Sequence, residues 1–510
     1  MNRFQPWLLA VLLGTTLSAS AGQRDIVPLE QRQWFEVRTS HFNIFSCGEA
    51  KEVYKLAGRL EQFCKVYAQL AGAESVESPP IAVIAFPDHK SLMPYLPLYH
   101  GKPSNIAAFF KRSSDENLIV LSLPESGSPY TGLEIIFHEY SHLLFRRNDQ
   151  LWPMWLKEGM AEVYSTFQTE GHAARIANPI PYHLQTLQHG RLMPLKELFS
   201  VTHDSPQYNE RDRQGMFYAE SWLLTHFLMA GDNGQYRARF GQFTTLLRQG
   251  QLTEQAFTNA MQATLPVVEI ELRRYLSRGV FPPIDLSLSA DVSSPIGFTS
   301  RYLTPVEVQF RLGDELLRID RLDVAEDHFL KGKKLAPASP LPEDGLGLLA
   351  NQQEERAAAL QHLKSAIQLG STSYLTYYLC AALKFKATAD SEDHYQRLEK
   401  GLAAEIRGEL GQALVLMPAF GPAHQLYGVL EMLQGEHLAD SGQHLQRAIQ
   451  LEPENPSYVL SLAQFQCLTK NPAAARQTLE PLLRPNADAK FRADAEKLMQ
   501  VIDRHYSISR

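Results

Sequence analysis

His138-Glu139-Tyr140-Ser141-His142 sets two imidazoles four positions apart, with a carboxylate directly after the first. On a helix that spacing puts both rings on one face, one turn apart, where both reach a single zinc ion. Glu139 stands about 100 degrees round such a helix from His138. It therefore lies beside the ion without binding it and can accept a proton from water. With 17 histidines in 510 residues, chance yields about 0.03 pentapeptides of this form, so coincidence is a poor explanation. Two histidines on a solvated helix are the bland alternative. It is weakened because Leu133, Ile136, Phe137, Tyr140, Leu143 and Leu144 make the segment apolar. Downstream, Glu158 and Glu162 are again four apart, on a segment opened by Pro153, a residue suited to a first helical turn. Catalytic zinc commonly takes two His, one carboxylate and a water. A further acid one turn on can hold a ligand imidazole by its second nitrogen.

The elements that must position these groups are legible in outline. Apolar periodicity predicts helices over Leu133 to Arg146, Met154 to Thr166, Gly215 to Met229 and Tyr236 to Arg248. Before them, Trp34 to Arg38 and His41 to Phe45 read as strands with a tight connection. Glu49 to Leu70 has helical spacing, and Ile81 to Phe86, between prolines, reads as a buried strand. Ala107 to Lys111 and Asn117 to Leu123 are expected to form a hairpin about a polar turn.

The motif followed by Trp155-Leu156-Lys157-Glu158-Gly159-Met160-Ala161-Glu162 resembles the gluzincin metallopeptidases, above all the peptidase-MA-like bacterial proteins and, more distantly, aminopeptidase N and thermolysin. The likeness spans roughly residues 30 to 280, including Phe217 to Trp222. It implies an α+β, thermolysin-like zincin domain, a small mixed sheet with active-site helices. It implies Zn2+ held by His138, His142 and Glu158, with Glu139 as general base and Glu162 as the acid behind a ligand imidazole. Glu158 takes the ligand role by its Glu-Gly-x-Ala setting, although the count from His142 alone, fifteen intervening residues against nineteen, favours Glu162. Tyr218, Tyr208 and His183 are candidate donors to a developing oxyanion. By analogy, Ala107 to Phe110 is expected to be the edge strand along which substrate lies.

Beyond Pro282-Pro283 and a serine-rich stretch, the chain repeats. Leu312-Gly313, Ala325 and Phe329 recur 34 residues on as Leu346-Gly347, Ala359 and Leu363. More degenerate copies follow, marked by Ala381, Ala413, Gly428, Leu445, Ala448, Ala463 and Ala475. Small residues at fixed positions let paired helices approach closely. The pattern resembles tetratricopeptide repeats, about five units over 305 to 485, which implies an all-α solenoid with a surface for protein or peptide partners.

Composition bounds the rest. Lys+Arg 49 against Asp+Glu 56 gives a net charge of −7, with no basic excess for nucleic acid. A charged start at Arg3, the apolar run Leu8 to Leu13 and Ala19-Ser20-Ala21 predict a signal peptide cleaved after Ala21. The run is too short for a lasting span, which needs about 20 residues. The mature protein is expected to be periplasmic or secreted, without a stable membrane span. Four cysteines, none in a CxxC, exclude a disulfide-dense scaffold; a Cys47–Cys64 bridge is left open. The expected organisation is a signal peptide over 1–21, a metallopeptidase domain over 22–280, a linker over 281–304 and the repeats over 305–510. The expected function is an exported zinc peptidase acting on a protein or peptide. The alternatives are a non-catalytic scaffold with an idle or structural zinc site, and an enzyme acting on a non-peptide amide.

Overall fold

The computed structural model describes residues 27–506 except 72–79, 100, 105, 114, 125–131, 146–151, 171–172, 203, 210, 289–296, 391–394, 454 and 485–488. The expected signal peptide lies outside the described residues. Among them, no helix is long and apolar enough to cross a membrane.

β1 (Phe35–Arg38) and β2 (Phe42–Ser46) form a tight antiparallel hairpin. α1 (Ala50–Ala71) then crosses over to β3 (Ile81–Phe86), which pairs with β2 in parallel. β4 (Ala108–Lys111) and β5 (Leu118–Ser122) make the second hairpin, with β5 parallel to β3. A small sheet is built from β6 (Gln168–Glu170), β7 (Ala173–Ile176) and β8 (Ile284–Ser287), while β9 (Thr299–Tyr302) returns to β1. The main sheet is therefore six-stranded and mixed, in the order β9-β1-β2-β3-β5-β4.

The unbroken apolar run of β3 follows from burial on both faces. Ile81, Val83 and Ala85 pack with Val53, Leu56 and Phe63 of α1 and with Ile136 and Phe137 of α2 (Leu133–Phe145). Ala82, Ile84 and Phe86 point the other way, into a cluster with Val308, Leu312, Leu316 and Phe329 of the first repeat. On the α2 side follow α3 (Met154–Ser165), α4 (Pro181–His189) and α5 (Arg211–Gly234). Helices over Arg237–Arg248, Thr253–Met261 and Leu265–Arg278 complete this half.

The linker expected over 281–304 is not a plain connector. Its ends are β8 and β9, each paired antiparallel with an earlier strand. β9 shows no alternation because all four of its residues are exposed. Its strand state comes from backbone bonds to β1, which periodicity cannot register.

Five helix pairs then stack: α6 (Pro305–Arg318) with α7 (Leu322–Leu335), α8 (Leu341–Gln352) with α9 (Arg356–Gln368), α10 (Tyr374–Lys386) with α11 (Lys400–Leu416), α12 (Gly421–Gln434) with α13 (Leu438–Leu451), and α14 (Pro456–Leu468) with α15 (Pro472–Leu479). α16 (Ala489–Tyr506) packs against the last pair. Thr304 and Glu307 form a reciprocal capping box at the start of α6. Gly313, Gly347 and Gly428 face Phe329, Leu363 and Leu445 with no room for a Cβ, the same close approach three times over.

The four cysteines are free. Cys64 packs in the core on the α1 side of the sheet and Cys47 against the core on the repeat side, so the sheet separates the pair considered for a bridge.

Candidate metal centre

α2 presses Phe137 against Phe63 of α1, ring centroids 4.6 Å apart, and buries Ile136 and Tyr140 beside it. That apolar stripe turns the opposite face, with His138, Glu139 and His142, toward α3. α3 in turn crosses α5 at Gly159, where an added Cβ would lie 2.3 Å from the Ser221 carbonyl oxygen and 2.2 Å from Thr225 Oγ1. The close crossing seats Glu158 and Glu162 opposite the histidines, both acids buried.

His138 Nε2 lies 3.2 Å from His142 Nε2. Glu158 Oε2 lies 3.3 Å from the first nitrogen and 3.4 Å from the second. Four ligands at about 2.0–2.1 Å around a tetrahedral ion are themselves about 3.3–3.4 Å apart, so the three atoms have the spacing of one face of such a tetrahedron. Glu158 Oε2 is buried without a well-formed hydrogen bond, whereas Oε1 accepts from the Tyr208 hydroxyl at 3.4 Å. The donor set fits zinc. His142 keeps 22% of its side-chain surface, and Glu139 is half-buried, so the fourth corner faces the accessible side.

Glu162 sits one turn beyond. Its Oε1 is 3.4 Å from His138 Nδ1, and its Oε2 is 3.1 Å from His183 Nε2. The structure thus separates the acids that counting alone confused: Glu158 meets both Nε2 atoms, while Glu162 meets the back of one ring. His183 turns to Glu162, and Tyr208 hydrogen-bonds Glu158. The Tyr218 ring lies 6.1 Å from that of His138 and 6.2 Å from that of Tyr208.

Charge here is mutually arranged. Burial opposes ionisation of Glu158, but the close approach of the His142 and His138 imidazoles outweighs it and pulls its pKa down to about 2. Burial likewise opposes a charge on Glu162 and is outweighed by His183 and His138, so its pKa is lowered. His138 is pushed well above its ordinary value, since Glu162 and Glu158 overcome the burial that disfavours its cation. Glu139 is raised, chiefly by burial.

β4 ends the main sheet and lies beside α2. Gly132, at φ +106°, makes this contact: a Cβ there would meet Ala108 Cβ at 2.7 Å. The turn after β4 is gripped by the repeats. Arg318 of α6 lies 3.2 Å from Asp115 and 3.5 Å from Glu116, and the Tyr374 hydroxyl of α10 donates to the Asp115 carbonyl at 2.8 Å. Sequence reading did not find this clamp, because its partners lie about two hundred residues or more apart. A second cluster, His41, Glu61 and Cys64, also brings ligand atoms together. Its Glu61 is already bonded to the His41 amide at 2.7 Å and ring at 2.8 Å, and burial raises the Cys64 thiol pKa, so it is a poorer metal site.

The tetratricopeptide repeat family model matches residues 432–500. The C-terminal array is a tetratricopeptide stack. The match falls on the later repeats, although the first two carry the clearer small-residue pattern. Among solved structures, the array is similar to a thermophilic TPR protein of Thermus thermophilus, with 20% identity over 38% of this chain and 99% of that one and a TM-score of 0.29. It is also similar to YrrB, a TPR protein with an unusual peptide-binding site, at 14% identity over 37% of this chain and 91% of that one, TM-score 0.31. Pseudomonas aeruginosa pilF gives 15% identity over 40% of this chain and 93% of that one, TM-score 0.30. No curated protein matches the chain.

Proposed function

We propose that the chain is an exported zinc-dependent peptidase of gluzincin type whose tetratricopeptide array binds a protein or peptide. The observation that carries the reading is the triangle of His138, His142 and Glu158, two of its corners buried and His142 partly open, with the half-buried Glu139 next to it on the same helix as the histidines. Zinc held by His138, His142 and Glu158 would supply a Lewis acid for a scissile carbonyl and for a water. Glu139, its pKa raised by burial, takes a proton from the attacking water and delivers it to the leaving nitrogen. Tyr208, whose hydroxyl meets Glu158 at 3.4 Å, and Tyr218, whose ring lies 6.1 Å from that of His138, are the candidate donors to the developing oxyanion. β4, at the sheet edge beside α2, is the strand a substrate backbone would extend. Export rests on the leader sequence Arg3 to Ala21.

The second reading is a non-catalytic scaffold, in which the repeats bind partners and the metal site is idle. The family match favours it, because it falls within the repeats alone. Metal analysis of the purified mature chain tests the site, with one zinc per chain expected. Peptide-library cleavage by the wild type and by Glu139→Gln separates the readings. Loss of cleavage in a variant that still holds zinc supports the peptidase. Equal processing by both, or none by either, leaves the scaffold.

A further inference from the structure

We propose that His183 is a positioning residue for the metal centre, acting through Glu162 to fix which nitrogen of His138 faces the ion. The inference rests on the zinc reading above. His138 turns Nε2 toward His142 and Glu158, at 3.2 and 3.3 Å. For Nε2 to offer a lone pair, the ring proton must sit on Nδ1, and Nδ1 lies 3.4 Å from Glu162 Oε1. A carboxylate held by one oxygen can still rotate about its last bond. The second oxygen, Oε2, is 3.1 Å from His183 Nε2, so two imidazoles on opposite sides fix the carboxylate plane.

His183 reaches this position from outside both motif helices. It lies in the first turn of α4, a helix opened by Pro181 and packed on α5. Its side chain is buried, with its ring 6.1 Å from that of Trp222. Among the described residues neither nitrogen of His183 makes a well-formed hydrogen bond, and the 3.1 Å approach of Nε2 to Glu162 Oε2 is the polar contact toward which the ring is aimed. Without the His183 donor, Glu162 is a buried acid with one oxygen unsatisfied. It can then rotate about its last bond, and the His138 tautomer is no longer enforced.

The test is zinc affinity of the full mature chain, by competition with a chromogenic chelator, for the wild type, His183→Gln, His183→Asn, Glu162→Gln and the double variant Glu162→Gln/His183→Asn. Glutamine can set its amide nitrogen near the place of Nε2; asparagine sets it near that of Nδ1, too far from Glu162. Both are smaller than imidazole, so a mere packing loss is common to both. We expect His183→Asn to weaken zinc binding about tenfold and His183→Gln to stay within about threefold of the wild type. We also expect the asparagine change to add little once Glu162 is glutamine. Equal losses in the two His183 variants, wild-type affinity in His183→Asn, or full additivity with Glu162→Gln overturns the assignment while leaving the zinc site standing. A wild type that retains no zinc overturns both.

Discussion

Two buried glutamates on facing helices show how surroundings set a residue's role. Glu158 is pulled down to about 2 because the two imidazoles beside it outweigh its burial. Glu220 is completely buried without such partners; burial pushes it up to about 8, against the Met193 amide that donates to it at 2.8 Å. Burial therefore favours the neutral acid in the folded chain. With a folded pKa above the unfolded value of 4.5, its contribution to stability is full below pH 4.5 and is lost as the pH rises through about 8. Glu220→Gln keeps an acceptor for the amide and removes the titration. Urea unfolding should show the variant near wild type at pH 5 and increasingly more stable toward pH 9; a constant gap would contradict this origin. At the proposed metal centre, Glu158→Ala should abolish zinc retention and Glu162→Ala only weaken it, as measured by metal analysis after dialysis; the reverse ranking would exchange their roles.

At the scale of elements, the site depends on how closely rods approach. Gly159→Ala forces a methyl group into the Ser221 carbonyl and Thr225 hydroxyl of α5, at 2.3 and 2.2 Å. A backbone neighbour cannot swing away, so α3 must shift. The expected cost is about 1–3 kcal/mol, as for other overpacked cores, read from the urea midpoint. Because Glu158 is the adjacent residue, zinc retention should fall with it. A destabilised variant with unchanged zinc affinity would show that the crossing serves the fold alone. The elements themselves were largely legible: β3 from its apolar run, α2 from its stripe, and the β4–β5 hairpin from its polar turn all lie within two residues of the sequence expectation. β9 was not, since an exposed strand at a sheet edge carries little pattern of its own, and β8 was not, since its Ile284 and Leu286 alternation is only four residues long.

Taken whole, the sheet is one core shared by two halves. Trp34, Phe45, Phe86 and Val120 pack with Val308, Leu312, Leu316 and Phe329, and Arg311 lies over the Phe45 ring at 4.4 Å. A chain ending at residue 304 would expose that apolar face and should lose cooperative unfolding and zinc binding together. A chain ending at residue 420 keeps the first three repeats and the Arg318 and Tyr374 grip on Asp115, and should retain both. Thermal melts and metal analysis of the two truncations check this. A stable, zinc-loaded chain ending at 304 would show that the repeats are merely appended.

The amino-acid order by itself determined what is local and periodic: the two-imidazole helix, the carboxylate pair one turn apart, and a solenoid marked by small residues at fixed intervals. Each depends on spacing along a single rod, which the backbone sets without help. Which acid meets both Nε2 atoms, which face of the sheet the repeats cover, and that His183 stands behind Glu162 were decided only in three dimensions. Those outcomes depend on how separate elements cross, and a crossing is set by the shapes of two surfaces at once, one of which can lie hundreds of residues away.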